Sequence, residues 1–415
     1  ADAYFLRADP ADDHSTVVRP RALPLLTEVE TATGPTHVWT TFSADQVDLD
    51  YGNPELLLEI LDILLDYSAK GARYIRLDAI GFMWKKLGTS CMHLPETHAL
   101  VQVMRAVVET AAPGTLLITE TNVPHRENIA YFGGGTPEAY LVYQFPLPPL
   151  VQHAFQTGDA TALTNWARTL EPPPPGTTFF NFLASHDGIG VRPLEGLLSQ
   201  PAVESMASTI VERGGAVSMR SLPDSSTKPY ELNISYMDGL VAADAEDATR
   251  ATAMIAAHGI LLAMAGLPGI YIHSLLGSRS DHAGMLLTGR NRSINRAKLQ
   301  AANVRAALDD PSSLRHRVFK GIARLLEARA GEPALHPDAT QRVLDADPAV
   351  VLIERLAPTG RRLLAAINVS DQDQRLTANA SDGWEDIVSG GRLAGPEIDL
   401  PGFAVRWLVD CASGR

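Results

Sequence analysis

The sequence predicts an α/β chain, a parallel sheet or barrel with helices outside it, followed by a separate antiparallel β domain. Three observations carry this. Short apolar strands alternate with helical segments from Pro54 to Gly331; three of those strands run into a carboxylate at their C-terminal ends; and beyond Gly331 only alternating strands follow.

Taken in order, residues 1–47 are rich in Pro, Thr and short β-like runs such as HVWTTF, and read as an inserted lobe. From Pro54, PELLLEILDILLDYSAKGA begins with a helix-start proline and is apolar on most faces, so a buried helix is expected. Within the stretch GARYIRLDAIGF, residues 71–82, YIRLD is the first strand. With a period of two, Ala72, Tyr74, Arg76 and Asp78 share one side, and Ile75 and Leu77 the other. THALVQVMRAVVETAAPG is a helix stopped by Pro113 and Gly114, TLLITE a strand, AYLVYQF a third strand, and PPLVQHAFQTG and TALTNWARTL are helical. PPPPG at 172–176 is a rigid connector, because the strand TTFFNFLASHD resumes directly after it. A long excursion over 192–245 contains PYELNISYMDGL; the helix ATRATAMIAAHGILLAMAG and a final buried strand GIYIHS follow it.

The helix RHRVFKGIARLLEARAG ends near Gly331, and VVLIERLA, RRLLAAINVS, WEDIVSG and FAVRWLVD are strands without intervening helices. The expected organisation is therefore an inserted lobe over 1–47, a (β/α) portion over 48–331 and a β-sandwich-like domain over 332–415. About four or five parallel strands fall short of the eight of a closed barrel, so either the sheet is open or its first strands lie in sequence upstream.

Composition excludes several function classes. The formal net charge of −13 disfavours a nucleic acid or an anionic membrane surface as partner. Cys91 and Cys411 are the only cysteines, too few for a disulfide framework, which fits a reducing, cytoplasmic compartment. No run of about 18 apolar residues is present to cross a bilayer.

The chemistry rests on Asp78, Glu120 and Asp187, each at the C-terminal end of an apolar strand. On a parallel barrel those ends face one pocket. Two carboxyl groups about 5 Å apart suit a retaining glycoside mechanism, one as nucleophile and one as acid/base. Arg76 beside Asp78 reads as a structural ion pair or as the partner that keeps a working carboxylate ionised.

At these residues the chain resembles a known family. IRLDAIGF, the Glu of LLITETNV and the His-Asp of FLASHDGIG are similar to three signature regions of the α-amylase superfamily (glycoside hydrolase family 13) of (β/α)8 TIM-barrel enzymes. The resemblance implies Asp78 as nucleophile, Glu120 as general acid/base, Asp187 as transition-state stabiliser, and Arg76 and His186 as sugar-pocket partners. GTSCMHLPETH, FPLPPLVQHAFQTGD and SHDGIG resemble the sucrose phosphorylase branch over nearly the whole chain. On that likeness Arg21 in RPRALPLL and Tyr230 in PYELN hold inorganic phosphate, and Arg292 in GRNRSINR grips glucose. Phe42 and Gln46 in FSADQ, with Phe82, line the pocket. The barrel would then be the C-terminal portion of one whose first strands, carrying an Asp and a His that also hold the sugar, have no counterpart here.

Departures from the sucrose pattern bear on the acceptor. Thr121 and Asn122 stand where sucrose phosphorylases carry Val-His, and Glu231 replaces a Gln after the loop tyrosine. These forms resemble glucosylglycerate or glucosylglycerol phosphorylases, with Asn122 and Glu231 near the acceptor. A carboxylate acceptor beside Glu231 would need Lys228 or another cation to offset it.

The expected reaction is cofactor-free glucosyl transfer from a sucrose-like or glucosylglycerate-like α-glucoside to phosphate, giving α-glucose 1-phosphate, with no metal. Its rivals are an α-glucoside hydrolase and a non-catalytic sugar-binding remnant. Cys91, His93, Glu96 and His98 match no zinc spacing and read as a structural loop, and GGG at 133–135 lacks the strand-to-helix context of a dinucleotide loop. Sequence leaves the oligomeric state open.

Overall fold

Alternation along residues 74–77 sets the first parallel strand. Tyr74 is 52% exposed while Ile75 and Leu77 are buried at 9% and 8%, so the apolar residues face inward and Arg76 faces the other way. The computed structural model describes residues 4–21, 23–221, 227–380 and 382–411, and they form two compact units. Residues 1–3 and 22 of the expected lobe, 222–226 of the excursion, and 381 and 412–415 of the expected C-terminal domain lie outside the described residues.

The first unit comprises 1–143 with the short stretches 173–178 and 219–228. Its helix Pro54–Ala69 starts at Asn53, whose side chain accepts from the Glu55 amide, and it buries Leu56, Leu61 and Leu64. The strand Tyr74–Leu77 follows and pairs in parallel with Leu116–Thr119, Tyr74 opposite Leu116 and Leu77 opposite Thr119. The helix Pro95–Ala111 connects them. Leu141–Tyr143 adds a third parallel strand, Ile118 opposite Leu141. Ahead of these lies an antiparallel hairpin, Leu26–Thr31 with Gly34–Trp39. It brings the buried Trp39 against Val17, Leu25 and Cys91.

In the second unit, Thr178–Asn181 pairs in parallel with a two-residue strand Leu267–Pro268. This corrects the expectation of a strand at GIYIHS: residues Ile272–Leu275 are a helical turn, and the strand lies just before them. The Gly269 amide still donates to the Asn181 carbonyl at 2.7 Å, but a Cβ on Gly269 would lie 2.3 Å from the Phe180 ring, and the chain turns away there. The β-branched and aromatic character of the segment reflects packing, not pairing.

Helix Asp247–Ala263 is buried on most of its surface and packs on Leu314–Ala330. Their close approach needs Gly321, where a Cβ would fall 2.1 Å from Ile255 Cδ1. Beyond them an antiparallel sheet runs in the order Thr340–Val343, Val350–Leu356, Arg362–Asn368, Val405–Asp410, Trp384–Asp386, Gly391–Leu393. Both of its faces are covered. Val351, Ile353, Leu363, Ala365, Ile367 and Trp407 join the helical core, whereas Val350, Leu352, Leu364, Ala366 and Leu408 pack with Ile398 and Leu400. Each such aliphatic burial contributes about 1.5–3 kcal/mol. Arg355 is fully buried and donates to the carbonyls of Ala263, His336, Ala339 and Thr340, closing the end of helix Asp247–Ala263. Desolvation lowers its pKa to about 10.

The excursion 192–245 includes helix Gln200–Glu212 and strand Thr227–Asn233. That strand pairs antiparallel with Ile189–Gly190, Ile189 opposite Leu232 and Gly190 opposite Glu231, so Glu231 is delivered next to the residues following Asp187. No helix among the described residues is long and apolar enough to cross a membrane.

Candidate active site

Each unit carries its own cluster of the residues singled out in the sequence. In the first, Arg76 leaves its strand and donates through Nη1 to Asp78 Oδ1 at 2.5 Å, while Nη2 lies 3.4 Å from Glu120 Oε2. Its guanidinium carbon sits 5.6 Å from the centroid of the Tyr143 ring. Burial works to lower the Arg76 pKa, but the charges of Glu120 and Asp78 outweigh it and the net shift is upward. One cation therefore holds two carboxylates.

The backbone reinforces that arrangement. Ala79 is left-handed, with φ 47° and ψ 36°, a conformation costing roughly 1–2 kcal/mol for a residue with a Cβ. The turn aims the Ala79 amide at Glu120 Oε2, 2.9 Å away, and the Ile80 amide at the Glu120 carbonyl, 3.3 Å away. The Glu120 amide donates in turn to the Leu77 carbonyl at 3.1 Å. The two acids differ in access: the Asp78 side chain is 67% exposed and that of Glu120 only 13%. One carboxylate is therefore open and its neighbour sheltered.

Arg21, Phe42 and Phe82 also come together. Phe42 and Phe82 meet edge to face with centroids 5.4 Å apart, and Arg21 lies 5.7 Å over the Phe42 ring. The Phe82 carbonyl accepts from Lys85, a buried lysine that is also 3.1 Å from Asp48. Gln46 is exposed and accepts from Ser43 Oγ at 2.9 Å. Thr121 is turned inward, donating to Asn128 Oδ1 at 3.0 Å, whereas Asn122 Oδ1 is buried with no hydrogen-bond partner among the described residues.

In the second unit, Arg292 is the hub. Its Nη1 donates to Asp187 Oδ1, and its Nε and Nη2 donate to Glu231 Oε1 and Oε2 at 3.0 and 2.5 Å. Arg296 lies 3.4 Å from Asp187 Oδ1 and donates to the His186 carbonyl. The Asn295 side-chain amide holds the Asp187 carbonyl at 2.7 Å. His186 is exposed, with Nε2 3.7 Å from Asp187 Oδ1. Tyr230 is half-buried, and its carbonyl accepts from the Val191 amide at 3.1 Å. Burial works to lower the Arg292 pKa, but its bond to Glu231 and the charges of Glu231 and Asp187 push it above the ordinary arginine value. The cation paired with Glu231 is Arg292. Tyr143 and Asn295, which belong to these clusters, carry no motif that sequence reasoning could single out.

Cys91 and His93 lie in the loop ahead of helix Pro95–Ala111, and Glu96 and His98 in that helix's first turn. The Lys86 amide donates to Cys91 Sγ at 3.3 Å, His93 Nδ1 is 2.8 Å from Tyr131 Oη, and His98 Nδ1 is 2.8 Å from Glu138 Oε2. Among the described residues no group of three or more His, Cys, Asp or Glu is arranged to hold a metal ion.

Comparison with known proteins shows the family. The alpha amylase catalytic domain family matches residues 31–188, which include Asp78, Glu120 and Asp187. The glucosylglycerate phosphorylase of Escherichia coli (strain K12) is 46% identical over 406 residues, covering 98% of this chain and 72% of that protein. The chain belongs to the glucosylglycerate phosphorylase branch of the α-amylase superfamily. The sucrose phosphorylase of Agrobacterium vitis is more distant, 30% identical over 310 residues, covering 72% of this chain and 58% of that protein. Among solved structures, sucrose 6F-phosphate phosphorylase from Thermoanaerobacter thermosaccharolyticum superposes with a TM-score of 0.74 at 21% identity, over 88% of this chain and 73% of that one. The fold is accordingly the (β/α)8 type of this superfamily with a C-terminal antiparallel β domain. Identity is thus higher to a glucosylglycerate phosphorylase than to a sucrose phosphorylase.

Proposed function

We propose that this protein cleaves an α-glucosylglycerate with inorganic phosphate, giving α-glucose 1-phosphate and glycerate with retention of configuration. The observation that carries the reading is the shared cation: Arg76 holds both an exposed and a sheltered carboxylate, Asp78 and Glu120, at the ends of adjacent parallel strands. In the first displacement an Asp78 oxygen bonds to the anomeric carbon while the bond to the glycerate oxygen breaks and Glu120 delivers its proton to that oxygen. In the second, a phosphate oxygen attacks the same carbon, the ester to Asp78 breaks, and Glu120 takes back a proton from phosphate.

The remaining roles are assigned by family likeness. Asp187 stabilises charge on the glucosyl ring in the transition state, and Arg292, His186, Phe42, Gln46 and Phe82 hold the sugar. Arg21 and Tyr230 receive phosphate where a hydrolase would admit water. Asn122, with a buried oxygen unpaired among the described residues, supports recognition of an acceptor hydroxyl. We assign the catalytic portion to residues 48–331, the lobe to 1–47 and the β domain to 332–415, and place the protein in the cytoplasm on its two free cysteines.

The test is a phosphorolysis panel of glucosylglycerate, glucosylglycerol and sucrose, with and without phosphate. Glucose 1-phosphate formed mainly from glucosylglycerate, and only with phosphate, is the expected result. Glucose released at the same rate without phosphate would mean a hydrolase, and preference for sucrose would overturn the substrate assignment.

A further inference from the structure

Glu231 is 3% exposed and offers no free oxygen, since Arg292 takes both in a two-pronged contact. That contact leaves one guanidinium nitrogen, Nη1, which is aimed at Asp187 Oδ1. Glu231 is held from the other side as well. Antiparallel pairing places it opposite Gly190, and its side chain lies against the backbone of Gly188, where a Cβ would stand 2.5 Å from Glu231 Cγ and 2.7 Å from its Cδ and Oε1. A glycine directly after Asp187 is therefore what lets the Glu231 side chain pack against this backbone while Arg292 bonds both acids.

From this geometry, and resting on the function proposed above, we infer that Glu231 is a positioning residue: it fixes the rotamer of Arg292 that meets Asp187, and it does not itself touch the acceptor. Within the cluster two carboxylates, Asp187 and Glu231, face two guanidinium groups, Arg292 and Arg296, so Glu231 presents no uncompensated charge to an anionic acceptor such as glycerate. A glutamine here has one acceptor oxygen and, in place of the other, an NH2 group that only donates. The donor would face an arginine N–H, so the two-pronged grip cannot form and Arg292 is freed to rotate.

The experiment compares Glu231→Gln, Arg292→Lys and the double variant in the synthesis direction, with α-glucose 1-phosphate as donor and either glycerate or glycerol as acceptor. Glu231→Gln should lower kcat/KM by the same factor, roughly 10- to 100-fold, with both acceptors. The double variant should be no worse than Arg292→Lys alone. A loss confined to the KM for glycerate, or multiplicative effects in the double variant, would overturn the inference. Thermal unfolding of the wild type and these three variants gives a readout that does not depend on which glucoside the wild type uses. Non-additive Tm shifts are expected, and additive ones would overturn the pairing even where the substrate assignment had failed. Gly188→Ala is the second probe: its loss of activity should shrink when Glu231 is also changed to Ala, and an undiminished loss would count against the packing argument.

Discussion

The backbone amide of Ala79 donates to Oε2 of Glu120 across 2.9 Å, tying the residue after one carboxylate to the side chain of the other. Because Ala79 adopts a left-handed conformation to do this, the Asp78 turn and the Glu120 side chain are fixed together, and Arg76 closes the set by binding both acids.

Arg76→Lys should therefore be damaging despite keeping the charge. A single ammonium cannot reproduce a planar guanidinium that reaches Asp78 with one nitrogen and Glu120 with another. Phosphorolysis should fall on the order of 10²-fold in kcat, the cost expected of misplacing catalytic groups. Steady-state kinetics check this, and a loss below about threefold would contradict a positioning role.

Asp78→Asn should abolish turnover of every glucosyl donor while barely changing Tm. Its side chain is 67% exposed, and exposed ion pairs add about 1 kcal/mol or less. Unchanged phosphorolysis in this variant would remove Asp78 from the mechanism, whereas collapse of the fold would contradict the structural reading of its exposure.

Arg21→Ala tests the phosphate assignment. Arg21 packs over Phe42 without entering the Arg76 cluster, so its loss should raise the KM for phosphate more than that for the glucoside. Equal effects on both would detach Arg21 from phosphate.

His258 predicts an acid limb of stability. It lies buried at 1% exposure in helix Asp247–Ala263, with Nδ1 2.8 Å from the Met254 carbonyl, and desolvation lowers its pKa to about 4 despite that bond. The unfolded chain takes up this proton near pH 6.5, so the contribution is complete above that pH and is lost as pH falls toward about 4, by roughly 3 kcal/mol in all. His258→Leu should flatten the dependence of the denaturation midpoint on pH between about 4 and 6.5. An unchanged slope would mean that His258 is not the group responsible.

Much of this was legible in local pattern. The alternation of Tyr74, Ile75, Arg76 and Leu77 announced both a strand and a charged face, and Pro54 marked a helix start that Asn53 then caps. The strand expected at GIYIHS failed because Leu267–Pro268 is too short to show any period, while the β-prone residues after it pack as a helical turn. Glu231 and Arg292 were each visible as candidates, but their pairing was not: it depends on an antiparallel register between Ile189–Gly190 and Thr227–Asn233 that no local signal encodes. The left-handed Ala79 was equally hidden, since alanine carries no mark of that conformation.

The most direct measurement follows the reaction of glucosylglycerate with phosphate by NMR, reading the anomeric signal of the first product formed. The account predicts α-glucose 1-phosphate appearing in step with glycerate, only when phosphate is present, and absent with Asp78→Asn. A β-configured product, or free glucose formed at the same rate without phosphate, would contradict it.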